Sequence, residues 1–313
     1  MRIAIIGSGG VGGYFGGRLA QAGEDVVFVA RGDHLQALQA HGLRVESIKG
    51  DFMVDAVQAT HSPSEVGIVD VVLLGVKAWQ VPEAAQAIRP LIGPETCVVT
   101  LQNGLEAPGQ VAEVLGAQHV VGGLCGLISF IAAPGHIRHT GGEPFVRFGE
   151  LDNHVSTRTE RLRQAFERSG VEVDIPPDIQ VALWMKFLII TPWSGIGAVT
   201  RAPAGIWRSL SETRDMVTQC LHEVDAVARA HAVALPEDAV KSTWERYETL
   251  PSSGTASLQR DIMESRPSEL EAQIGAVVRL GKQVEVPTPT HTYIYRSLLP
   301  LDLRARGQIE FSM

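Results

Sequence analysis

Apolar and polar positions follow two regimes along this chain. In the first half, short apolar runs are separated by turn residues. Ile3, Ala4, Ile5 and Ile6 have the length of a buried parallel strand. Residues 25–30, 69–76 and 96–101 predict further core strands. Residues 14–22, 34–40 and 81–88 predict helices between them, the first with Leu19 and Ala20 on its inner side and Gly23 as its stop. Asp33 reads as the N-cap of the second. Residues 43–45, 52–54 and 57–60 read as short strands of an insertion. Residues 119–132, 135–139 and 145–149 read as strands, with turns at Pro134-Gly135 and Gly141-Gly142. An arginine-rich helix over 156–168 carries a Leu162/Phe166 stripe, and 171–173 closes this part. Beyond Pro176-Pro177-Asp178 the strand pattern stops, and 179–190, 212–230, 236–248 and 268–280 carry helical periodicity. The pattern predicts an α/β domain with a mostly parallel, doubly wound sheet over 1–176 and an all-α domain over 177–313.

Between the first strand and the first helix lies Gly7-Ser8-Gly9-Gly10-Val11-Gly12, a G-x-G-x-x-G. Gly7 permits the tight turn, Gly9 lets a pyrophosphate approach the backbone, and Gly12 lets the helix pack on the sheet. The helix N-terminus adds unpaired N–H groups and a positive dipole end. The strand before and the helix after make this a dinucleotide site rather than a glycine-rich turn. Where an NAD site carries an acid for the ribose 2′-hydroxyl, this chain has Ala30-Arg31-Gly32. An arginine fork can clasp a 2′-phosphate, so Arg31 points to NADPH; the alternative is a solvated loop charge.

Bulk properties narrow the class. The 313 residues are 45% hydrophobic and 20% charged, as in a globular protein with a large core. A net charge of −8 argues against a nucleic-acid partner. Cys97, Cys125 and Cys220 form no C-x-x-C pair and read as reduced, buried thiols of a cytoplasmic protein. No secretory signal is visible, and the apolar stretch 120–134 is shorter than the ~18 residues a membrane span needs. His136 and His139 lie on opposite faces of a predicted strand, and no metal site is expected.

Candidate chemistry collects at four places. Lys77-Ala78-Trp79-Gln80 and Gln102-Asn103-Gly104 follow core strands, where ligand-facing residues gather in open α/β sheets. Lys186 interrupts the apolar helix Ala182-Leu183-Trp184-Met185-Lys186-Phe187-Leu188; on composition alone it is a snorkelling lysine. Ser257-Leu258-Gln259-Arg260-Asp261-Ile262 precedes Arg266-Pro267-Ser268-Glu269-Leu270-Glu271. Ser268-x-x-Glu271 fits a capping box, with Glu269 in the first helical turn, where it meets a neighbour or simply complements the helix dipole.

These motifs, from the glycine-rich start through Lys77-Ala78-Trp79-Gln80, Asn103-Gly104, Leu183-Trp184-x-Lys186, Ser257 with Asp261-Ile262, to Ser268-Glu269, stand in the order of the ketopantoate reductase (2-dehydropantoate 2-reductase) family. The chain resembles that family over essentially its whole length. The resemblance implies a Rossmann domain, a helical domain and an active site in the cleft between them. It implies NADPH-dependent reduction of a small 2-oxo acid, with ketopantoate giving pantoate for pantothenate biosynthesis. Lys186 would be the general acid and Glu269 the acid that orients lysine and substrate. Lys77 and Asn103 would lie near the nicotinamide and the substrate, and Ser257 would bind substrate. A homodimer follows from likeness alone. The family pattern has Asn four and eight residues after the lysine, where this chain has Ile190 and Ser194. Ser194 is the shorter remaining polar candidate for substrate, and Ile190 cannot hydrogen-bond. A reductase of another small oxo acid is therefore a rival reading. A non-catalytic NADP(H)-binding protein is a third, opposed by the retained Lys186 and Glu269.

Overall fold

The computed structural model describes residues 1–311. Two compact units emerge: Met1–Gln102 with Glu106–Ala182, and Asn103–Leu105 with the chain from Leu183 onward. The division falls inside a helix at Ala182/Leu183, beyond Pro176-Pro177. Asp178 follows the prolines and caps that helix. Its carboxylate accepts from the Val181 N–H at 3.0 Å and starts a helix that runs through the division.

The first unit holds one ten-stranded sheet. Its strands are β1 (Arg2–Ile6), β2 (Asp25–Val29), β3 (Leu43–Ser47), β4 (Phe52–Val54), β5 (Gln58–Thr60), β6 (Val71–Leu74), β7 (Cys97–Thr100), β8 (Val120–Ala133), β9 (His136–Glu150) and β10 (Glu172–Asp174). Its helices are α1 (Gly10–Gln21), α2 (Gly32–His41), α3 (Val81–Ala87), α4 (Ala107–Leu115) and α5 (Thr157–Arg168). The strand order is β4-β3-β9-β8-β7-β6-β1-β2-β5, with β10 beside β9. β7, β6, β1, β2 and β5 are mutually parallel, as the near-continuous apolar runs require.

The two margins of this sheet, β4 and β5, are joined by residues 55–57. That link spans at most about 14 Å. Eight strand spacings would separate the margins of a flat sheet by about 38 Å. The sheet must therefore curl, and α1 lies in its concavity. A Cβ on Gly13 would meet Ile137 of β9 at 2.8 Å, one on Gly16 would meet Ile5 and Phe28 at 2.7 Å, and one on Gly17 would meet Leu43 at 2.9 Å. The glycines thus let several strands close on one helix. Leu19 is buried as expected, but Tyr14 and Phe15 are buried too, so α1 has no single inner stripe.

Four local expectations change. Residues 43–60 are not an insertion: β3 pairs with β9, and β5 extends the parallel sheet beside β2. β9 is one strand rather than two, because the Gly141-Gly142 turn signal is absorbed as an irregularity opposite Ile128. α1 begins at Gly10, well before Tyr14. Arg31, not Asp33, is the N-cap of α2, and Asp33 sits in its first turn. The α5 expectation is met, with Ser156 accepting from the Thr159 N–H at 3.2 Å and Leu162 and Phe166 buried. All three cysteines are buried and outside any disulfide, and burial pushes the Cys97 thiol up to about 12.

The second unit is helical among the described residues. α6 (Ile179–Thr200) is followed by α7 (Ala204–Trp207), α8 (Ser211–Ala230), α9 (Ala239–Glu248), α10 (Ser257–Met263), α11 (Ala276–Gln283) and α12 (Pro289–Ala305). A π-helical turn, Glu271–Gly275, leads into α11. α6 is long and apolar enough to cross a membrane by length and composition, unlike 120–134, but 61% of its apolar window is buried inside the protein. The Ser268–Glu271 capping box does not form. The Ser268 N–H and hydroxyl donate to Asp302 at 2.7 and 2.8 Å, and Glu271 pairs with Arg279. Asp302 wins because α12 brings a buried carboxylate to Ser268, held in turn by Arg306 at 2.7 Å.

Glu223 of α8 fixes the start of α12. It accepts from the backbone N–H groups of Thr290 (2.7 Å) and His291 (3.0 Å) and from His291 Nδ1 (2.6 Å). Burial raises the carboxyl pKa, but the bonds from His291 and Thr290 outweigh it, leaving Glu223 below its ordinary value. A carboxyl with a depressed folded pKa stabilises the fold above its unfolded pKa, and that stability is lost as pH falls through the folded value. Glu223→Ala is expected to cost about 3 kcal/mol. It should also flatten the acid limb of a plot of Tm against pH below pH ~4.5. An unchanged acid limb in thermal melts would contradict this.

Candidate active site

In the first unit, the sequence-predicted cofactor residues gather at the carboxyl ends of parallel strands. β1 leads into Gly7–Gly12, β2 into Arg31 and β6 into Lys77. Gly7 has φ +89°, and a Cβ there would meet Val76 at 2.8 Å, so no other residue fits the turn. A Cβ on Gly12 would lie 2.2 Å from the Gly7 carbonyl oxygen. Gly10 is equally tight, 2.4 Å from the Ser129 carbonyl oxygen of β8. Gly9 is the exception: a Cβ there meets nothing within 4 Å. Of Gly7, Gly9, Gly10 and Gly12, Gly9 alone leaves room for a Cβ, as close approach of a pyrophosphate to the backbone would need, so these residues fit a dinucleotide.

The side chains around the loop are partly committed. The Ser8 hydroxyl is buried and donates to the Val29 carbonyl at 3.4 Å, so its backbone N–H is what it has left for a phosphate. Val11 is half-buried against the core. Arg31 is 79% exposed and lies 3.8 Å from Glu83, itself 76% exposed, an ion pair worth little in water. Lys77 is half-buried, with its ammonium 5.9 Å from the Trp79 ring. Gln102 spans the ends of β6 and β7, donating to the carbonyls of Leu74 (2.7 Å) and Val76 (3.0 Å). That pins the segment on which Gly7 packs.

His34 was not singled out from the sequence. Its Nδ1 accepts from the Gly135 N–H at 3.1 Å. Burial lowers its pKa, and the Ser8 backbone only partly opposes this, so the imidazole stays neutral beside the loop. A lone histidine in an amphipathic helix carries no local sign of that position.

In the second unit, Lys186 and Ile190 lie one turn apart on the half-buried face of α6, and Ser194 follows fully buried. A Cβ on Gly195 would be 3.0 Å from Ile274, and one on Gly197 would be 2.4 Å from Gln259 of α10. These two glycines let α6 pack against both the π-helical turn and α10. Ser257 is the half-buried first residue of α10. Glu269 is 6% exposed and precedes the π-helical turn, its carbonyl accepting from the Gln273 N–H at 3.0 Å. Asn103 falls in this unit through its neighbour: Gly104, at φ +122°, packs so closely that a Cβ would lie 2.7 Å from the Ala272 carbonyl oxygen. The unit therefore brings Lys186, Ser194, Ser257 and Glu269, with Asn103, onto α6, α10 and the chain beside them.

This arrangement has known counterparts. The family profile described as ketopantoate reductase PanE/ApbA matches residues 3–153, and its C-terminal counterpart matches residues 178–301. The chain belongs to the ketopantoate reductase family. A Nostoc 2-dehydropantoate 2-reductase is 30% identical over 315 residues, 98% of this chain and 98% of that one. The crystal structure of a 2-dehydropantoate 2-reductase from Geobacter metallireducens is 31% identical, has a TM-score of 0.90, and covers 96% of this chain and 99% of that one. The same fold occurs in a D-mandelate dehydrogenase solved with NADH and anilino(oxo)acetate, at 22% identity and a TM-score of 0.89, over 98% of this chain and all of that one. The Rossmann and helical architecture is that of ketopantoate reductases, and the protein is an oxidoreductase of this pyridine-nucleotide-dependent family.

Proposed function

We propose that this protein reduces a small 2-oxo acid to the 2-hydroxy acid with NADPH, ketopantoate being the first candidate. The observation that carries the reading is the retention of Lys186 on the half-buried face of α6 together with buried Glu269, in a chain whose glycine loop is open only at Gly9. When bound, the reduced nicotinamide supplies a hydride to the carbonyl carbon. The Lys186 ammonium then stabilises the negative charge gathering on the carbonyl oxygen and donates the proton that completes the alcohol. Glu269 orients the lysine and the substrate. Asn103 and Lys77 line the approach of the nicotinamide, and Ser257 and Ser194 offer hydroxyls to substrate. Gly7 to Gly12, with the backbone N–H groups of Ser8, Gly10 and Val11, hold the pyrophosphate at the start of α1.

Arg31 supports NADPH over NADH, because its exposed guanidinium ends β2, where a 2′-phosphate would lie. Glu83 is too exposed to hold it strongly. Arg31→Ala is expected to weaken NADPH about 10- to 100-fold and NADH less than about threefold. Fluorescence titration of both nucleotides checks it, and equal losses would remove Arg31 from cofactor choice.

Ile190 favours a second reading, reduction of a different small oxo acid, since the position offers no hydrogen bond. The D-mandelate dehydrogenase shows the fold with another oxo acid and with NADH. Following NADPH absorbance with a panel of 2-oxo acids decides between them. Preference for ketopantoate supports the first reading and preference for another acid the second. NADPH binding without oxidation by any acid defeats both.

A further inference from the structure

Gln273 is fully buried, and neither its Oε1 nor its Nε2 has a hydrogen-bond partner among the described residues. A buried amide left unpaired weakens a fold, and an apolar side chain of the same shape would not. The Gln273 amide is open to a hydrogen-bonding ligand, and its placement says which. Gln273 sits in the π-helical turn, where the Gly275 N–H reaches back five residues to the Leu270 carbonyl at 2.9 Å. Such turns recur at functional sites. The Gln273 N–H bonds the Glu269 carbonyl, so one helical turn separates the amide from that carboxylate.

The facing element repeats the spacing. Along α6, Ile190 is one turn and Ser194 two turns beyond Lys186. The next residues on each side, Gly195 and Ile274, are where the two elements touch. Ser194 Oγ, fully buried, also has no partner among the described residues. Two uncommitted polar groups, Ser194 Oγ and the Gln273 amide, therefore flank the contact of Gly195 with Ile274, one turn along α6 from the apolar Ile190.

We propose that Gln273 is a specificity-determining residue that selects a hydroxyl-bearing 2-oxo acid. Its Oε1 accepts from the substrate hydroxyl, and its Nε2 donates to another oxygen of the same molecule. This rests on the reading of Lys186 and Glu269 as the reducing site. A site built to bond a hydroxyl rejects the analogue lacking it, because the protein group is then left unpaired.

The test compares ketopantoate with 3,3-dimethyl-2-oxobutanoate, the same oxo acid without its hydroxyl, in the wild-type protein and in Gln273→Met. Wild type should prefer ketopantoate in kcat/KM. Gln273→Met should lose about 10- to 100-fold on ketopantoate, mostly in KM, and keep its rate on the deoxy analogue. Its Tm should be unchanged or higher, and its affinity for NADPH unchanged. Gln273→Leu, a smaller apolar replacement, reads the same ratio if the Met protein fails to fold. A loss that falls equally on both acids, or a lower Tm with the ratio intact, makes Gln273 structural and overturns the proposal. Wild-type protein that reduces neither acid nor any other 2-oxo acid overturns the parent reading instead.

Discussion

Lys186→Ala is expected to lower kcat by about 10²–10⁴ while leaving NADPH affinity unchanged. That loss equals about 3–5 kcal/mol of transition-state stabilisation. The physical reason is the oxyanion. Hydride transfer to a carbonyl leaves a full charge on oxygen, and without a cation and a proton donor that charge must be met by solvent. The cofactor residues Gly7 to Gly12 belong to the first unit and Lys186 to the second, so removing the ammonium deletes nothing from the anion cradle. The side chain is half-buried on a face shared with Ile190, so truncation opens no sealed core cavity and Tm should move little. Single-turnover and steady-state absorbance at saturating NADPH, with a fluorescence titration of the cofactor, measure both quantities. Near-normal turnover would strip Lys186 of its role. A parallel loss of NADPH binding would point instead to a disturbed fold.

The glycine loop gives the second large effect, and here two neighbouring substitutions separate affinity from stability. Gly9→Ala adds a methyl group to open space at an ordinary extended φ of −73°. The folded protein should be as stable as the parent or slightly more so, since alanine restricts the unfolded chain. NADPH affinity should nevertheless fall at least about tenfold, because the methyl group stands where the pyrophosphate must approach. Gly12→Ala should behave differently. Its methyl group would lie 2.2 Å from the Gly7 carbonyl oxygen and 2.9 Å from Ile5, both parts of a packed strand end. Relieving that overlap costs about 1–3 kcal/mol, so Tm and NADPH affinity should fall together. Thermal melts with and without NADPH distinguish the two patterns. A Gly9→Ala protein that binds NADPH normally would mean the loop is a turn and nothing more.

How much of this could be read from the chain alone depended on whether the cause was local. The loop was legible because the turn itself sets the positive φ of Gly7, and the demand on Gly12 comes from Gly7 and Ile5, a few positions away. The α5 stripe was legible for the same reason: Leu162 and Phe166 are four residues apart on one helical face, and both are buried. Ser268 and Glu271 showed an equally good local signal, and it failed. A carboxylate 34 residues downstream, Asp302, took the serine instead. Gly141-Gly142 misled similarly, since β8 pairs with the partner strand on both sides of the two glycines and takes them up as an irregularity opposite Ile128. His34 and Gln273 were invisible for a deeper reason. What matters about each is the company of buried atoms from distant segments, and periodicity carries no record of that.

The margins of the sheet carry a consequence for how this protein behaves under stress. Both ends of the strand order are three-residue strands, β4 and β5, drawn from one short stretch of chain. The apolar strands Val71–Leu74 and Cys97–Thr100 sit in the middle, bonded on both sides. A foreign strand looking for a template therefore meets β4, β5 and β10, three brief ledges of three residues each, before it meets those two central strands. Strand addition onto Val71–Leu74 or Cys97–Thr100 should wait on local opening of the sheet around them.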